Sequence, residues 1–395
     1  MSKPAAGSAA ILPIVALTFL AYLNVGLPLA VLPIFIHDRL GFAAVLAGLA
    51  VSIQYVATVI SRAQVGRMTD RMGAKRTALR GFSFILVSGV LTVVGGLLSR
   101  WPAASFAVVV LGRLALGGGE SMVGTGAVAW AIANGGSRRA VQAMSWNGIA
   151  SYGAVALGAP VGVMLAALGG LPAIGVCTAL VALGGLWLAS VNVDAPSTHA
   201  AGAARPGTAQ LLRAILPYGV SLGLASMGFG VLTAYVTLLY ADRHWPGAAI
   251  AVTVFGAAFI LARLALPGSI RRFGGLPVAL FALAVECVGL LIIWRATRVE
   301  PVLIGAALTG MGFGPIFPAL GTRVMAAAPP EAQGSAIGFY SVFLDVALGL
   351  SGPLAGVLIV RFGYESPFAL GAAAVVCAFG LTLWAQLSGK APARA

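Results

Sequence analysis

The chain has 395 residues, of which 60% are hydrophobic and only 9% are charged. Soluble globular domains carry about 25% charged residues, so this composition excludes an ordinary soluble protein and predicts a membrane protein. The formal net charge of +14 is the balance expected when basic residues are kept on one side of a membrane near anionic lipid headgroups. We therefore expect membrane lipids, and no nucleic acid, as partners.

Twelve uncharged stretches are long enough to cross a bilayer, which takes about 20 helical residues. They lie near residues 11–36, 42–61, 81–99, 103–132, 142–168, 171–193, 214–240, 246–267, 275–296, 301–325, 333–360 and 366–388. The uncharged block between residues 140 and 193 is divided into two helices by Gly169-Gly170-Leu171-Pro172. The sequence thus predicts an all-α membrane protein with twelve transmembrane helices.

Twelve spans place both termini on the same side of the membrane. The loops on that side hold fifteen Lys and Arg residues, whereas the opposite loops hold six. Because positive residues are retained on the cytoplasmic side, we expect both termini to be cytoplasmic and the protein to be a multi-pass protein of a plasma membrane.

Uncharged polar and aromatic residues mark a candidate cavity in the first half of the chain. The first span is interrupted by Gly26 and Pro28, and broken membrane helices commonly line a cavity. Hydroxyl, amide and aromatic side chains can hydrogen-bond or stack on an organic solute, so they favour a small, partly polar organic substrate over a bare ion. The candidates are Tyr22, Asn24, Gln54, Tyr55, Trp146, Asn147 and Tyr152.

A dense basic segment from Gly66 to Arg76 separates the second and third spans and predicts a loop in water. Its candidate latch residues are Gly66, Asp70, Arg71, Gly73, Lys75 and Arg76. An acid among basic groups can form a charge pair that a domain movement breaks; a plain positive loop is the alternative. The spacing G-x-x-x-D-R-x-G-x-K-R resembles the same loop of the major facilitator superfamily of transporters. That resemblance implies that Asp70 caps a neighbouring helix and stabilises one access state.

The fourth span contains two charged residues, Arg113 and Glu120. Exposing an Arg to lipid costs at least about 2.5 kcal/mol, so Arg113 is expected to face the protein interior or a water-filled cavity. Glu120 lies two helical turns further, about 10 Å along the same face. Leu111-Gly112-Arg113 resembles the superfamily motif whose Arg takes part in proton coupling. We expect Arg113 to orient charge or substrate and Glu120 to carry a proton; a structural polar contact is the alternative.

Two Gly- and Pro-rich helices predict flat packing faces, because small residues let helix backbones approach closely. The candidate helix-packing seam comprises Gly153, Gly158, Pro160 and Gly162 in the fifth span and Gly349, Gly352, Pro353 and Gly356 in the eleventh. The first group resembles the antiporter motif of exporters in the superfamily, although Gly158-Ala159-Pro160 replaces the adjacent Gly-Pro. This resemblance implies antiport.

Two further acids interrupt apolar spans. Asp345 lies in the middle of the eleventh span and is a candidate proton or cation site. Glu286 interrupts the ninth span, where a helix-packing contact, an oligomer contact and a coupling role all remain open.

An internal repeat indicates two related halves. A shift of 193 residues places Gly112, Gly117 and Gly119 over Gly305, Gly310 and Gly312. A shift that is eight residues longer, 201 residues, places Arg62, Arg71 and Gly73 over Arg263, Arg272 and Gly274. We expect a six-helix half at 1–193, a cytoplasmic linker at 194–213 and a second six-helix half at 214–395. Together with the motifs, this arrangement implies the major facilitator fold with pseudo-symmetric halves.

The sequence predicts secondary active transport rather than catalysis. Its Cys and His residues lack metal or redox spacing, and no phosphate-binding loop occurs, so we expect no metal site, no cofactor and no enzyme activity. The most favoured activity is proton-coupled export, by antiport, of a small organic compound by a monomer. Proton symport or facilitated uptake of a metabolite or sugar, and lipid flipping, are the alternatives. Ser145-Trp146-Asn147-Gly148 also resembles a bacterial subgroup of permeases loosely labelled sugar or drug efflux proteins.

Overall fold

The computed structural model describes residues 12–135, 137–192, 208–328 and 333–388. Nearly all of these residues are helical. The helices are α1 (Leu12–Gly26), α2 (Leu32–Ile34), α3 (Ala44–Met72), α4 (Ala74–Leu97), α5 (Pro102–Gly135), α6 (Ser137–Val191), α7 (Thr208–Asp242), α8 (Ala248–Phe273), α9 (Gly275–Trp294), α10 (Val299–Ala327), α11 (Gln333–Phe362) and α12 (Ser366–Leu387). The described chain is therefore all-α.

The described helices supply twelve membrane spans. Ten of them are long and apolar enough to cross a bilayer, and Pro13–Gly26 is a shorter apolar helix. One of the ten, Trp146–Val191, has 46 residues, which is twice the length that a span needs. Gly169 and Gly170 interrupt it, the latter with a φ of 65° that favours glycine. The predicted division of this block into two spans is confirmed.

The first span is broken, as its Gly and Pro residues predict. Helix α1 ends at Gly26, a turn follows, and the short helix α2 continues into a π-helical turn over Phe35–Arg39. Backbone hydrogen bonds such as Leu32 N to Pro28 O, at 2.7 Å, hold the turn. Irregular backbone is tolerated at such depth only where protein or a cavity surrounds it.

The prediction of a loop over residues 66–76 is wrong in its conformation. Helix α3 continues to Met72, and α4 begins at Ala74, so only Gly73 is non-helical, with φ of 87°. Gly274 makes the same one-residue turn between α8 and α9, with φ of 84°. Dense charge indicates water but not loop structure, because a helix can extend beyond the lipid with its basic side chains solvated.

Helix α7 begins within the predicted linker. Helix α7 starts at Thr208 rather than at residue 214, so the last part of the predicted linker is helical. The reason is the same as for α3, since a polar first turn can lie on a helix outside the membrane. Residues 194–207 of the linker lie outside the described residues.

The chain forms two compact units. Unit 1 comprises residues 1–43 and 53–200, and unit 2 comprises residues 44–52 and 201–395. The first residues of α3 thus group with unit 2, unlike the expected boundary. Glycine contacts explain this grouping, because a Cβ atom added to Gly356 would lie 2.6 Å from Cα of Val45. The Tyr235 hydroxyl also donates a hydrogen bond to the Gly352 carbonyl nearby.

The internal repeat is visible in the helix packing inside each unit. In unit 1, a Cβ atom added to Gly117 of α5 would lie 2.8 Å from the carbonyl carbon of Gln54 on α3. In unit 2, a Cβ atom added to the repeat-related Gly310 of α10 would lie 2.9 Å from the carbonyl carbon of Phe255 on α8. Related glycines therefore bring related helices into backbone contact.

Candidate functional site

Two buried charges lie on one face of α5. Arg113 and Glu120 are each only 4% exposed, near the middle of this 34-residue helix. The seven-residue spacing places them two turns apart on the same side. Burying either ion without compensation would cost several kcal/mol, so the surroundings of both side chains decide what they can do.

Gly117 lies between these charges on the same face and brings α3 against it. The absence of a side chain at Gly117 allows the backbone of Gln54 to contact α5 directly. The Thr58 hydroxyl lies 3.1 Å from the carbonyl oxygens of both Gln54 and Gly117 and donates to them. Gln54 and the adjacent Tyr55 are consequently packed beside Arg113 and Glu120.

Tyr55 joins the two charges in one buried cluster. Arg113 interacts electrostatically with Tyr55 and Glu120, and Tyr55 interacts in addition with Tyr152 of α6. We call Tyr55, Arg113, Glu120 and Tyr152 the α5 cluster. Adding a proton to Glu120 would change the interactions of the other three members, because charge interactions are weakly screened in such surroundings. This arrangement can couple proton binding to the position of an Arg.

A narrow cavity with both apolar and polar lining residues lies beside the α5 cluster in unit 1. Its lining residues are Asn24, Pro28, Leu32, Ser88, Thr92, Val109, Arg113, Leu116, Leu171, Ile174 and Thr178. The cavity has room for about one water molecule, so an organic solute would require the surrounding helices to separate.

Asn24 contributes an unsatisfied polar group to this cavity wall. Its side chain is 1% exposed and donates to the carbonyl of Leu20 at 2.8 Å. Its Oδ1 accepts no hydrogen bond from the residues that the structure describes. Buried polar atoms usually have a partner, so Oδ1 is available to water or to a solute group. The break of the first span places this residue at the end of α1.

The other predicted cavity residues differ in how far they are buried within unit 1. The Thr18 hydroxyl hydrogen-bonds to Oδ1 of Asn147 at 2.5 Å, so Asn147 links α6 to α1. Tyr22 is half-buried. Trp146 has 47% of its surface exposed and is not part of the α5 cluster. Asn24, Gln54, Tyr55 and Tyr152 are thus the members placed around the buried charges.

Asp345 lies in unit 2 and is 5% exposed. It is on α11, whose Tyr340 donates a hydrogen bond to the carbonyl of Phe317 at 3.1 Å. Close contacts hold the same stretch of α11 against α7, because a Cβ atom added to Gly223 would lie 3.0 Å from the carbonyl oxygen of Phe343. Asp345 therefore lies on a tightly packed stretch of α11 within unit 2.

The predicted latch residues do not share one environment. Arg71 and Arg76 are exposed, and Gly66 is half-buried. Lys75 donates to the carbonyl oxygens of Ser190 and Asn192, at 2.8 and 2.6 Å, and so caps the C-terminal end of α6. The side chain of Asp70 lies outside the described residues.

Four of the predicted packing residues lie at close helix contacts, two in each unit. In unit 1, a Cβ atom added to Gly158 would lie 2.8 Å from Cα of Gly26, and Gly162 contacts the backbone of Leu27. In unit 2, Gly352 and Gly356 contact the start of α3. Pro160 and Pro353 are inside α6 and α11. Gly153 is half-buried and Gly349 is buried.

Sequence reasoning missed the residues that position the cluster. Thr58, which bridges α3 and α5, lies four residues after Gln54, so helical periodicity places it on the same face. Gly117 stands out in the sequence through the repeat and through its position between Arg113 and Glu120, but neither feature predicts its contact with Gln54. Ser88, Thr92 and Thr178 of the cavity wall gave no signal, because isolated Ser and Thr residues are common in membrane helices.

Comparison with known proteins agrees with this architecture. The family profile of the Major Facilitator Superfamily matches residues 14–274 and 219–394. An uncharacterised MFS-type transporter of Burkholderia mallei (strain SAVP1) is 47% identical, with 97% of this chain and 95% of that protein covered. An uncharacterised MFS-type transporter of Pseudomonas aeruginosa (strain UCBPP-PA14) is 41% identical, with 97% and 94% covered.

Solved structures share the fold at low sequence identity. The nucleoside transporter NupG superposes with a TM-score of 0.75 at 14% identity, covering 95% of this chain and 99% of that one. The human organic anion transporter MFSD10 gives 0.70 at 16% identity, covering 96% and 100%. The chain belongs to the Major Facilitator Superfamily, with twelve transmembrane helices in two pseudo-symmetric six-helix halves, and is a secondary transporter.

Proposed function

We propose that this protein exports a small organic compound in exchange for protons. The observation that carries the proposal is the α5 cluster, in which a buried Arg, a buried carboxyl group and two tyrosines interact within unit 1. A transporter of an uncharged solute by a passive route has no need of such buried ions, whose desolvation is costly. Ionisable residues within spans are the usual positions of proton relays.

Glu120 is the proposed proton carrier of the cluster. Its protonation would neutralise a buried charge and permit the halves to reorient, whereas substrate binding would favour the deprotonated form. Arg113, which interacts with Glu120 and also lines the cavity with Asn24, would transmit that change to a bound solute. Asp345 is the proposed coupling group of unit 2.

The substrate is proposed to be small, organic and partly polar. The cavity wall offers an amide oxygen, hydroxyl groups and a guanidinium group, which suit hydrogen bonding to such a solute. The glycine contacts of α6 with α1 and of α11 with α3 support helices that repack during alternating access. We further propose a monomer in the bacterial inner membrane with cytoplasmic termini, acting without cofactors and without enzymatic chemistry.

Symport of a metabolite or sugar is the second candidate function. The α5 cluster favours it equally, because coupling of a proton to a solute does not fix the direction of either. Facilitated uptake and lipid flipping are further alternatives, but neither activity requires the buried charges of the α5 cluster.

The test is substrate-driven proton movement in proteoliposomes. Purified protein is reconstituted with an internal pH dye and exposed to a panel of drugs, nucleosides, sugars, amino acids and organic anions. Glu120→Gln and Asp345→Asn are compared with wild type, and Glu300→Gln, at an exposed position at the start of α10, is the matched control. The expected result is that one compound drives protons in the direction opposite to its own movement in wild type and in the Glu300→Gln control. This proton movement should be lost in Glu120→Gln or in Asp345→Asn. Transport that is independent of pH and unchanged in both variants would refute proton coupling.

A further inference from the structure

Glu286 is a buried acid that the proposed mechanism does not use. It is the twelfth of the twenty residues of α9, which places it near the middle of a span, and it is 0% exposed. Neither of its carboxyl oxygens has a hydrogen-bond partner among the residues that the structure describes. Full burial excludes an oligomer contact. An ionised carboxylate in this position would be costly, whereas a protonated one is far cheaper.

Two other helices of unit 2, α7 and α10, enclose the Glu286 side chain, and each contacts it at a glycine. A Cβ atom added to Gly228 of α7 would lie 2.5 Å from Oε1 of Glu286. A Cβ atom added to Gly312 of α10 would lie 2.7 Å from Cβ of Glu286. The carboxyl group therefore lies where α7 and α10 approach α9 closely, and a displacement of either helix would change its access to water.

The internal repeat shows that this packing position does not require an acid. In unit 1, a Cβ atom added to Gly119 would lie 2.7 Å from the carbonyl oxygen of Gly81 and 2.7 Å from Cγ1 of Ile85. The repeat-related Gly312 lies against Ala282 and Glu286 in the same way, at 2.6 Å from the carbonyl oxygen of Ala282. The shift of 201 residues that relates Gly73 to Gly274 places Ile85 on Glu286.

Ile85 is also fully buried, at 0% exposed. The same cradle is thus filled in unit 1 by a hydrocarbon side chain. A carboxyl group that adds nothing to the packing and has a desolvation cost is expected to have a chemical function.

Most titratable groups of the neighbouring helices lie far along the helix axes from this position. On α10, Glu300 and Arg323 are twelve and eleven residues from Gly312, about 18 and 16 Å at 1.5 Å per residue. On α8, Arg271 and Arg272 adjoin the start of α9, about 16 Å from Glu286 by the same rise. Arg263 of α8 and Glu286 are eleven and twelve residues from the turn at Gly274 and so lie at a similar depth. The guanidinium carbon of Arg263 lies 5.4 Å from the ring centre of Phe259, and Arg263 interacts electrostatically with Tyr340 of α11.

On α7 and α12 the pattern is the same. The titratable groups of the described part of α7 are Arg213, Tyr218, Tyr235, Tyr240 and Asp242, between seven and fifteen residues from Gly228, or about 10 to 22 Å. Cys377 of α12 is six residues from Gly371, which adjoins Gly228. Cys287, next in sequence, interacts electrostatically with Glu286, but a thiol offers no positive charge to stabilise a carboxylate.

We propose that Glu286 is a proton-binding site of unit 2, protonated while α7 and α10 enclose it and releasing its proton when these helices separate during transport. The release step rests on the proposed function, whereas the binding of a proton in the packed state does not. The site takes a proton rather than a metal cation, because a single carboxyl group within this cradle provides too few oxygen ligands.

The first experiment is infrared spectroscopy of the reconstituted protein at neutral and mildly alkaline pH. Wild type is compared with Glu286→Gln and Glu286→Ile, and Glu300→Gln is the control. The expected result is a carbonyl stretching band of a protonated carboxylic acid that persists at mildly alkaline pH, is lost in both Glu286 variants and is retained in the control. A band of the ionised carboxylate lost in the Glu286 variants instead would overturn the proposal.

The Glu286→Ile variant reproduces the side chain of the related position in unit 1 and guards against loss of folding. We expect its thermal unfolding temperature to be at or above that of wild type, because an unpartnered buried acid is removed. Unfolding of both Glu286 variants would show that the carboxyl group is needed for packing, and would also overturn the proposal.

Transport assays then test the release step. Both Glu286 variants are expected to lose substrate-driven proton movement while keeping substrate counterflow, which needs no net proton transfer. Undiminished proton movement in both would refute the release step. If wild type moves no protons with any compound, the proposed function and the release step fail together, and the infrared band alone decides whether Glu286 binds a proton.

Discussion

Replacement of Gly117 by alanine tests whether the contact between α3 and α5 positions the α5 cluster. The added Cβ atom would overlap the carbonyl oxygen of Gln54 and would lie 2.8 Å from its carbonyl carbon and 3.0 Å from its Cα. Optimal carbon–carbon contacts lie at about 3.5–4.0 Å, so the two helices must separate by at least about 1 Å. Neighbouring backbone cannot rotate away as a flexible side chain can.

The expected magnitude combines two opposing effects. Overpacking of this kind costs typically about 1–3 kcal/mol, and the higher helix propensity of alanine returns up to about 1 kcal/mol. The net loss of stability is therefore about 0–2 kcal/mol, which leaves the protein folded. The functional loss is larger, because a displacement of about 1 Å at a reacting group can reduce a rate by roughly a hundredfold, and here it moves Tyr55 away from Arg113.

Gly124→Ala provides the matched control on the same helix. No heavy atom of the described residues lies within 4 Å of a Cβ atom at Gly124, apart from its own helix backbone and chain neighbours, so the substitution adds only helix propensity. We measure thermal unfolding in detergent and substrate-driven proton movement in proteoliposomes for both variants. Gly117→Ala should lose most of the transport rate and Gly124→Ala should keep it. Full transport in Gly117→Ala would show that the contact at Gln54 does not position the cluster.

Two further predictions concern contacts at helix ends. Lys75→Gln removes the hydrogen bonds to the carbonyl oxygens of Ser190 and Asn192 at the α6 terminus and should lower stability by about 0.5–1 kcal/mol in thermal unfolding. Arg76→Gln, at an exposed position, should have little effect. Equal losses of stability in the two variants would contradict the capping role of Lys75. Arg243 donates a hydrogen bond to Glu365, which raises the pKa of Arg243. This contribution is present at neutral pH and is lost as pH rises through the Arg243 pKa. Glu365→Gln should destabilise the protein by less than about 1 kcal/mol, less so in high salt, and a larger or salt-independent loss would contradict an exposed ion pair.

The sequence was sufficient for the architecture because lipid imposes strict rules on chain length and charge. A span of about 20 apolar residues has few conformations available besides a helix. Glycine residues then set the breaks, as the turn at Gly169 and Gly170 shows. What failed was the conformation of residues 66–76 and the start of α7, because charge indicates contact with water and not the end of a helix.

The interior of the candidate site was less predictable for a related physical reason. In a soluble helix the apolar face marks the core, but a membrane helix is apolar towards both lipid and protein. Hydrophobic periodicity therefore does not reveal which face of α9 is buried, and the position of Glu286 was left open. The bridge from Thr58 to α5 likewise depends on a close approach at Gly117 that no local pattern encodes.

The two units place their buried acids in different surroundings. In unit 1, Glu120 shares a cluster with Arg113 and two tyrosines, whereas Ile85 fills the cradle beside Gly119. In unit 2, the corresponding cradle contains Glu286 instead. Glu120 therefore has charged and hydroxyl-bearing neighbours, whereas Glu286 is enclosed by the backbone of α7 and α10. Because the two acids lie in such different surroundings, we expect Glu120→Gln and Glu286→Gln to differ in their effect on substrate-driven proton movement in proteoliposomes.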